Sequence, residues 1–144
     1  MATRQFRAGV LLVIRHPVDD LVMAFERVNQ PGAWQFPQGG IDPGERPIDA
    51  AWRELREETS LTADDVELVG THPDLIAYEY PPGIFKSDYL GQVHRWFYFN
   101  ARSADIEPVP DGDEFQAWTW MAPTEIAERA VEFRRRSYVV GLGL

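Results

Sequence analysis

Glu54, Glu57 and Glu58 stand at positions i, i+3 and i+4 of the run RELREE. On a helix of about 100° per residue that spacing brings three carboxylates to one face. Like charges so placed destabilise an isolated helix by a few tenths of a kcal/mol per pair, so something must compensate them. A divalent cation with hard oxygen ligands can do so. With no cysteine in the chain and no paired histidines here, Mg²⁺ or Mn²⁺ suits these donors better than zinc. Arg53, four residues before Glu57, is placed to hold that carboxylate, whereas Arg56 points away from the acidic face. Taken alone, RELREE reads more naturally as a solvated surface helix, because Glu and Arg are good helix formers and exposed faces are often charged. The preceding loop shifts the balance: Gly39, Gly40 and Gly44 allow tight backbone geometry and close approach of a ligand, Pro43 stiffens the loop, and Glu45 can fold back towards the helix carboxylates.

The helix that must carry these residues is marked by Pro47 as a first helical residue and by Ile48, Ala51, Trp52, Leu55 and Thr59, which recur at three- and four-residue spacing and predict one buried stripe. Residues 9–15 and 21–28 are rich in apolar and β-branched types, flank a turn at His16 to Asp20, and predict two strands. Trp34-Gln35-Phe36 reads as a short extended piece before Pro37, and residues 39–44 as irregular. Further strands are expected at residues 66–71, 75–80, 92–101 and 115–121. A helix is expected from Pro123 to about Ala130, and residues 132–140 extend it or form another. The terminal VVGLGL is expected to fray or to pack on the surface. Strands surrounding one strong central helix predict an α/β (α+β) class with a mixed sheet. Residues 81–90 and 106–113 read as long loops of the kind that border sites.

The 144 residues, 44% hydrophobic, suit a single domain with one continuous core. A net charge of −9 and a pI of about 4.7 argue against bulk attraction to DNA or anionic membrane, so an anionic substrate needs local help. The absence of cysteine excludes disulfides, thiolate metal sites and a cysteine nucleophile, and fits a cytoplasmic protein. The apolar run before Arg15 is too short for a signal-peptide core or a membrane span. His16, His72 and His94 lack metal-ligand spacing and read as structural or exposed. No G-x-S-x-G elbow or Walker A loop is present, which disfavours serine hydrolase and P-loop chemistry.

Gly39, five residues, Glu45, seven residues and then RELREETSL together resemble the Nudix box, G-x5-E-x7-R-E-U-x-E-E-x-G-U with U aliphatic. One position departs: Ser60 stands where the family has glycine. Glycine there suits a left-handed helix end, so serine costs about 1 kcal/mol locally and removes no metal ligand. The resemblance implies a hydrolase of nucleoside diphosphates linked to another moiety, on an α/β/α sandwich with a mixed sheet. It implies that Gly39, Glu54, Glu57, Glu58 and Glu114 serve two or more Mg²⁺ or Mn²⁺ ions, that Arg53 orients a glutamate, and that Glu45 supports the ligands by hydrogen bonding. Bound cations would bridge carboxylates to phosphate oxygens and lower the pKa of an attacking water. Glu57 and Glu114 are the candidates for the base that takes the water's proton.

WQFPQGG at residues 34–40 is similar to the motif of a narrower group, the bacterial RNA 5′ pyrophosphohydrolases and the asymmetrical diadenosine tetraphosphate hydrolases. FRAGV, YEYPPG, GQVHRWF, EFQAWTW and VEFRRRSY follow in the same order, so the resemblance spans nearly the whole chain. It implies substrate contacts from Arg7, Arg27, Gln38 and Tyr78, with Phe133 stacking on a purine. The plain alternatives are solvated arginines and core packing for Phe133, while Arg134 to Arg136 read either as attracting the far phosphates or an RNA 5′ end or, more plainly, as a solvated basic run in a terminal helix. The expected partner is a nucleotide polyphosphate or an RNA 5′ end, bound by a monomer or homodimer. Other nucleoside diphosphate derivatives and a non-catalytic nucleotide sensor are the competing readings.

Overall fold

The computed structural model describes residues 5–83 and 88–144. Its elements in chain order are β1 (Gln5–Arg15), β2 (Val22–Arg27), β3 (Trp34–Gln35), β4 (Gln38–Gly40), α1 (Pro47–Thr59), β5 (Val66–Thr71), β6 (Ile76–Glu79), β7 (Tyr89–Ala101), β8 (Phe115–Met121), α2 (Pro123–Arg129) and α3 (Glu132–Leu142). β1 runs parallel to β7 and antiparallel to β2 and β4, in a mixed sheet of order β3-β2-β1-β7-β5 with β8 beside β2 and β6 beside β7.

The unbroken apolar run of β1 follows from its central position, because a strand covered on both faces has no solvent side on which to alternate. Its residues separate by parity. Val10, Leu12 and Ile14 join Ala50, Ala51 and Leu55 of α1 and Phe97 and Phe99 of β7 in one core. Leu11 and Val13 join Phe36, Trp96, Ile126, Ala127 and Tyr138 in the other. Thus α1 covers one face and α2 with α3 the other, which is the expected α/β/α sandwich. Complete burial of Leu55 alone is worth about 1.5–3 kcal/mol in holding α1 down.

The α1 stripe is rotated from the one expected. Its buried residues are Ala50, Ala51, Glu54, Leu55, Glu58 and Thr59, while Ile48 is exposed. Small alanines let the helix lie close to β1, and the rotation carries Glu54 and Glu58 inwards. Pro47 opens the helix, Asp49 complements its dipole, and Ser60 closes it in the left-handed region with φ 62° and ψ 9°.

Other boundaries also moved. Residues 39–44 are not wholly irregular, since β4 pairs Gly39 with Val10 and Gly40 with Gly9. β7 begins at Tyr89 and so takes up the end of the loop expected over residues 81–90; residues 84–87 of that loop lie outside the described residues. The C-terminal stretch does not fray: α3 runs to Leu142, Tyr98 Oη donates to the Gly141 carbonyl at 2.6 Å, and a Cβ at Gly141 would fall on the Trp96 ring. Among the described residues no helix is long and apolar enough to cross a membrane.

Candidate active site

Arg53 is the pivot of the acidic cluster. Its Nε and Nη2 donate to the two oxygens of Glu45, each at 2.8 Å, and Nη2 also donates to the Gly40 carbonyl at 2.9 Å. Its Nη1 donates to Glu54 at 2.7 Å and to Glu57 at 3.3 Å. Arg53 therefore holds Glu57 as its spacing predicts, but grips Glu45 and Glu54 more closely. Glu45 also accepts the Asp42 N–H at 3.0 Å. The bonds from Arg53 first, and that N–H second, hold the Glu45 carboxyl down to about 2. Glycine leaves room for this cluster as placed: a Cβ at Gly39 would fall on the Glu54 carboxyl group, and one at Gly40 on the Arg7 guanidinium, so either side chain would have to shift.

Glu54 and Glu58 are buried whereas Glu57 is exposed. Glu58 accepts the Gln38 N–H at 3.2 Å and shares a hydrogen bond with the Glu114 carboxyl. Burial first, and that shared bond second, push Glu58 far above the usual carboxylate range, so the neutral acid is favoured. Glu54 is raised too, by burial against the opposing pull of Arg53. Among the described residues no three His, Cys, Asp or Glu side chains form a ready metal cage. Glu54 and Glu57 are instead turned to Arg53, and Glu58 and Glu114 to each other. Carboxylates this crowded settle in that way by themselves, through a guanidinium and a shared proton.

Glu114 arrives from a loop fastened at three points. Val109 N–H donates to the Thr59 carbonyl at 2.8 Å, and Val28 N–H to the Glu114 carbonyl at 2.9 Å. The Asp111 Oδ1 accepts the N–H groups of Asp113, Glu114 and Phe115 at 3.1, 3.0 and 3.0 Å. A register shift between Glu26 and Arg27, which pair with Ala117 and Phe115, leaves Gln116 as the extra residue of a bulge. Bulges re-aim strand ends, and this one accompanies the turn of Glu114 towards Glu58. A cavity of about 380 Å³ is lined by Arg27, Asn29, Asp111, Asp113 and Glu114.

Beyond Gln38 the charge reverses. Arg27 donates from Nη1 to Gln35 Oε1 at 2.7 Å and from Nε to Asn29 at 3.1 Å. Arg134 is buried and donates from Nη1 to the same Gln35 oxygen at 3.0 Å and from Nε to Tyr78 Oη at 3.4 Å. Among the described residues neither arginine has a carboxylate within 4.0 Å. Burial first, and the Arg134 charge next, lower the Arg27 pKa. The Arg134 guanidinium lies over the rings of Phe133 and Tyr78, with 5.0 and 5.7 Å to their centroids.

Half-buried Phe133 packs against Tyr78 and Tyr80 and lines a cavity of about 660 Å³ with Gln30, Pro81, Val131 and Glu132. Gln38 is buried and donates from Nε2 to Tyr78 Oη and to Gln92 Oε1, each at 3.3 Å, while its own Oε1 has no partner. His94 lies 2.8 Å from Gln92 and is pushed down to about 3 by burial first, then by Arg134 and Arg7, so it is neutral at pH 7.

The fold thus gathers Gly39, Glu45, Arg53, Glu54, Glu57, Glu58 and Glu114 at one end, and Arg27, Gln38, Tyr78 and Phe133 at the other. Exposed Arg7 stands over Gly40. Sequence reasoning missed Gln35 and Asp111, and it placed Arg134 in a basic run that attracts phosphate or is solvated without foreseeing its burial. A signal for Arg134 was present: Ser137, Tyr138 and Gly141 follow it at i+3, i+4 and i+7, one face of a helix that the structure buries.

The chain matches the NUDIX domain family over residues 5–139. It is 39% identical over 137 residues to an RNA pyrophosphohydrolase of Cereibacter sphaeroides, covering 90% of this chain and 83% of that protein. To Nudix hydrolase 25 of Arabidopsis thaliana it is 36% identical over 133 residues, covering 83% and 75%. Among solved structures, the E. coli dihydroneopterin triphosphate pyrophosphohydrolase matches with a TM-score of 0.77 at 19% identity, over 98% of this chain and 100% of that one. A C. elegans Ap4A hydrolase binary complex matches with a TM-score of 0.73 at 18% identity, over 95% of each chain. Those two likenesses concern the fold, whereas the family match and the sequence relatives span most of the chain: it belongs to the NUDIX family and is a Nudix hydrolase.

Proposed function

We propose that this hydrolase is a divalent-metal-dependent pyrophosphohydrolase that cleaves a phosphoanhydride bond of a dinucleoside polyphosphate or of 5′-triphosphorylated RNA by attack of water on phosphorus. The observation that carries the reading is the meeting, through Gln38, of crowded carboxylates with two arginines that have no carboxylate within 4.0 Å among the described residues and lie beside an aromatic face. Glu54, Glu57, Glu58 and Glu114, with the backbone of Gly39, would hold the ions. These are hard oxygen donors of the kind Mg²⁺ and Mn²⁺ prefer, and glycine at position 39 leaves room for the Glu54 carboxyl group. When bound, such ions neutralise phosphate charge and lower the pKa of water.

The chain's own groups do the rest. Arg53 orients Glu54 and Glu57, and Glu45 fixes Arg53. Glu57, which is exposed, or Glu114 takes the proton from water. Arg7 and Arg27 meet phosphate, Gln38 and Tyr78 line the passage, and Phe133 offers a face to a base, worth about 1–3 kcal/mol. Relatives named RNA pyrophosphohydrolase favour the RNA end, while the net charge of −9 favours a small nucleotide over a long RNA body.

Diadenosine tetraphosphate and triphosphorylated RNA incubated side by side with Mg²⁺ in ¹⁸O water test the proposal. The expected outcome is hydrolysis of at least one, abolished by chelator, with the label in the product whose phosphorus was attacked. Should neither react, a panel of nucleoside triphosphates, sugar nucleotides and ADP-ribose, resolved by anion exchange, identifies another substrate. Tight binding without any product would replace the enzyme reading with a sensor.

A further inference from the structure

Gln35 sits on β3 at 1% exposure, and its side-chain oxygen takes hydrogen bonds from both Arg27 and Arg134. Its Nε2 is turned the other way, to the Phe36 carbonyl at 3.4 Å. A carboxylate would be the stronger acceptor between two guanidinium groups, because ionised pairs form shorter and stronger bonds. It would also cancel one of the two charges. A neutral amide fixes both side chains and cancels neither.

We propose that Gln35 is a positioning residue that holds Arg27 and Arg134 together without neutralising them, leaving a two-guanidinium seat for a phosphate oxyanion of the substrate. The proposal rests on the reading of this site as a polyphosphate site. A guanidinium carries five N–H donors, and those on Nη2 of both arginines make no hydrogen bond among the described residues. The Nε and Nη1 positions of both are already committed, and the Tyr78 and Phe133 rings lie under Arg134, so the seat is arranged before anything binds. An oxyanion there would gain charge-assisted bonds without first having to order the arginines.

The test substitutes Gln35→Glu, which keeps the shape and supplies the missing counter-charge. Calorimetry with Mg²⁺ and imidodiphosphate, whose P–N–P link resists cleavage, is paired with substrate kinetics and thermal unfolding. The Gln35→Glu protein gains ion pairs to both arginines but loses the weak Nε2 bond to the Phe36 carbonyl, so it should melt near the wild type, bind imidodiphosphate about tenfold or more weakly, and show a matching rise in KM with kcat held. Gln35→Met removes the acceptor but adds no charge. It should lower Tm and weaken imidodiphosphate binding less than Gln35→Glu does, with the salt dependence of binding unchanged.

A folded Gln35→Glu protein with wild-type KM and wild-type imidodiphosphate affinity overturns the inference. If that variant fails to fold, wild-type affinity in Gln35→Met overturns it. A wild-type protein that hydrolyses no nucleotide, yet binds imidodiphosphate in a way that Gln35→Glu weakens, removes the proposed reaction and leaves the seat. Hydrolysis that Gln35→Glu does not affect does the reverse.

Discussion

On one side of Gln38, the acidic end of the site, a single guanidinium, Arg53, meets the carboxylates of Glu45, Glu54 and Glu57; on the other, the basic end, two guanidinium groups meet one neutral amide oxygen of Gln35. Both ends gather like charge in partly buried surroundings, where isolated charge is costly. The acidic end settles its own account with Arg53 and with a proton shared by Glu58 and Glu114. The basic end has no such internal answer: its partners are amide and phenol oxygens, which take hydrogen bonds but carry no charge. The difference shows which groups must be displaced before a ligand enters. A cation at the acidic end competes with a proton and with Arg53, whereas an anion at the basic end breaks no ion pair, although Glu114, Asp111 and Asp113 share a cavity with Arg27.

The largest effect should come from Glu57→Gln. Its carboxylate is exposed and only weakly held by Arg53, so its replacement should leave Tm nearly unchanged while kcat falls by about 10²–10⁴-fold. Initial rates with Mg²⁺ on the two candidate substrates check this. Full activity would remove Glu57 from the chemistry and leave the acidic end as an ion-pair cluster. Arg134→Met is the matching experiment at the other end. It replaces a buried cation lacking a carboxylate partner by an apolar chain, so KM should rise about 10–100-fold while Tm holds or increases. A fall in Tm with KM unchanged would make the basic end merely structural.

The third expectation separates the ends by pH. Glu58 has a folded pKa above its unfolded value, so the stability associated with it is full at pH below about 4.5 and is lost as pH rises towards the folded value. Glu45 has the opposite sign. Depressed to about 2, it stabilises above the ordinary carboxylate range, and that contribution is lost as pH falls towards 2. Calorimetric unfolding in chelator should therefore show Tm declining from pH 5 to pH 9, by the equivalent of about 1–2 kcal/mol, and Mg²⁺ should flatten that limb by displacing the proton. Identical profiles with and without metal would mean that the carboxylates do not receive the ion.

Much of this contrast was legible in the sequence, but unevenly. The acidic end is local: Gly39 to Glu58 lie within the end of β4, one loop and one helix, so spacing alone brings most of its groups together. Glu114 came only through resemblance, since its approach depends on the bulge at Gln116 and on the hydrogen bonds to Asp111, which no periodicity encodes. The basic end joins β2, β3, β6 and α3 across the sheet, and contacts of that range leave no mark in a local pattern. Arg134 shows the cost of judging a residue by type, because a run of three arginines reads as solvated until the helix face shared with Tyr138 is noticed. The α1 stripe erred in the other direction, since the apolar residue Ile48 is exposed while the charged residues Glu54 and Glu58 are buried. A site can override patterning in this way where a bound ion, rather than solvent, is the expected neighbour of a charge.

The smallest effect tests whether the acidic end depends on the helix end beside it. Ser60 holds φ at 62°, a value glycine adopts without strain, and its N–H donates to the Arg56 carbonyl at 2.9 Å. Ser60→Gly should stabilise by about 1 kcal/mol at most, because glycine also gains freedom in the unfolded chain. Rates should not change. Glu57 and Glu58 are placed by the body of α1, and the Thr59 carbonyl is already held by Val109 N–H, so the loop that brings Glu114 is fastened whichever residue follows. Thermal unfolding and kcat measured on the same preparations decide the matter. A rise in both would mean that strain at Ser60 reaches the carboxylates; a rise in Tm alone would place the cost of the serine in the helix cap and leave the charge contrast between the two ends untouched.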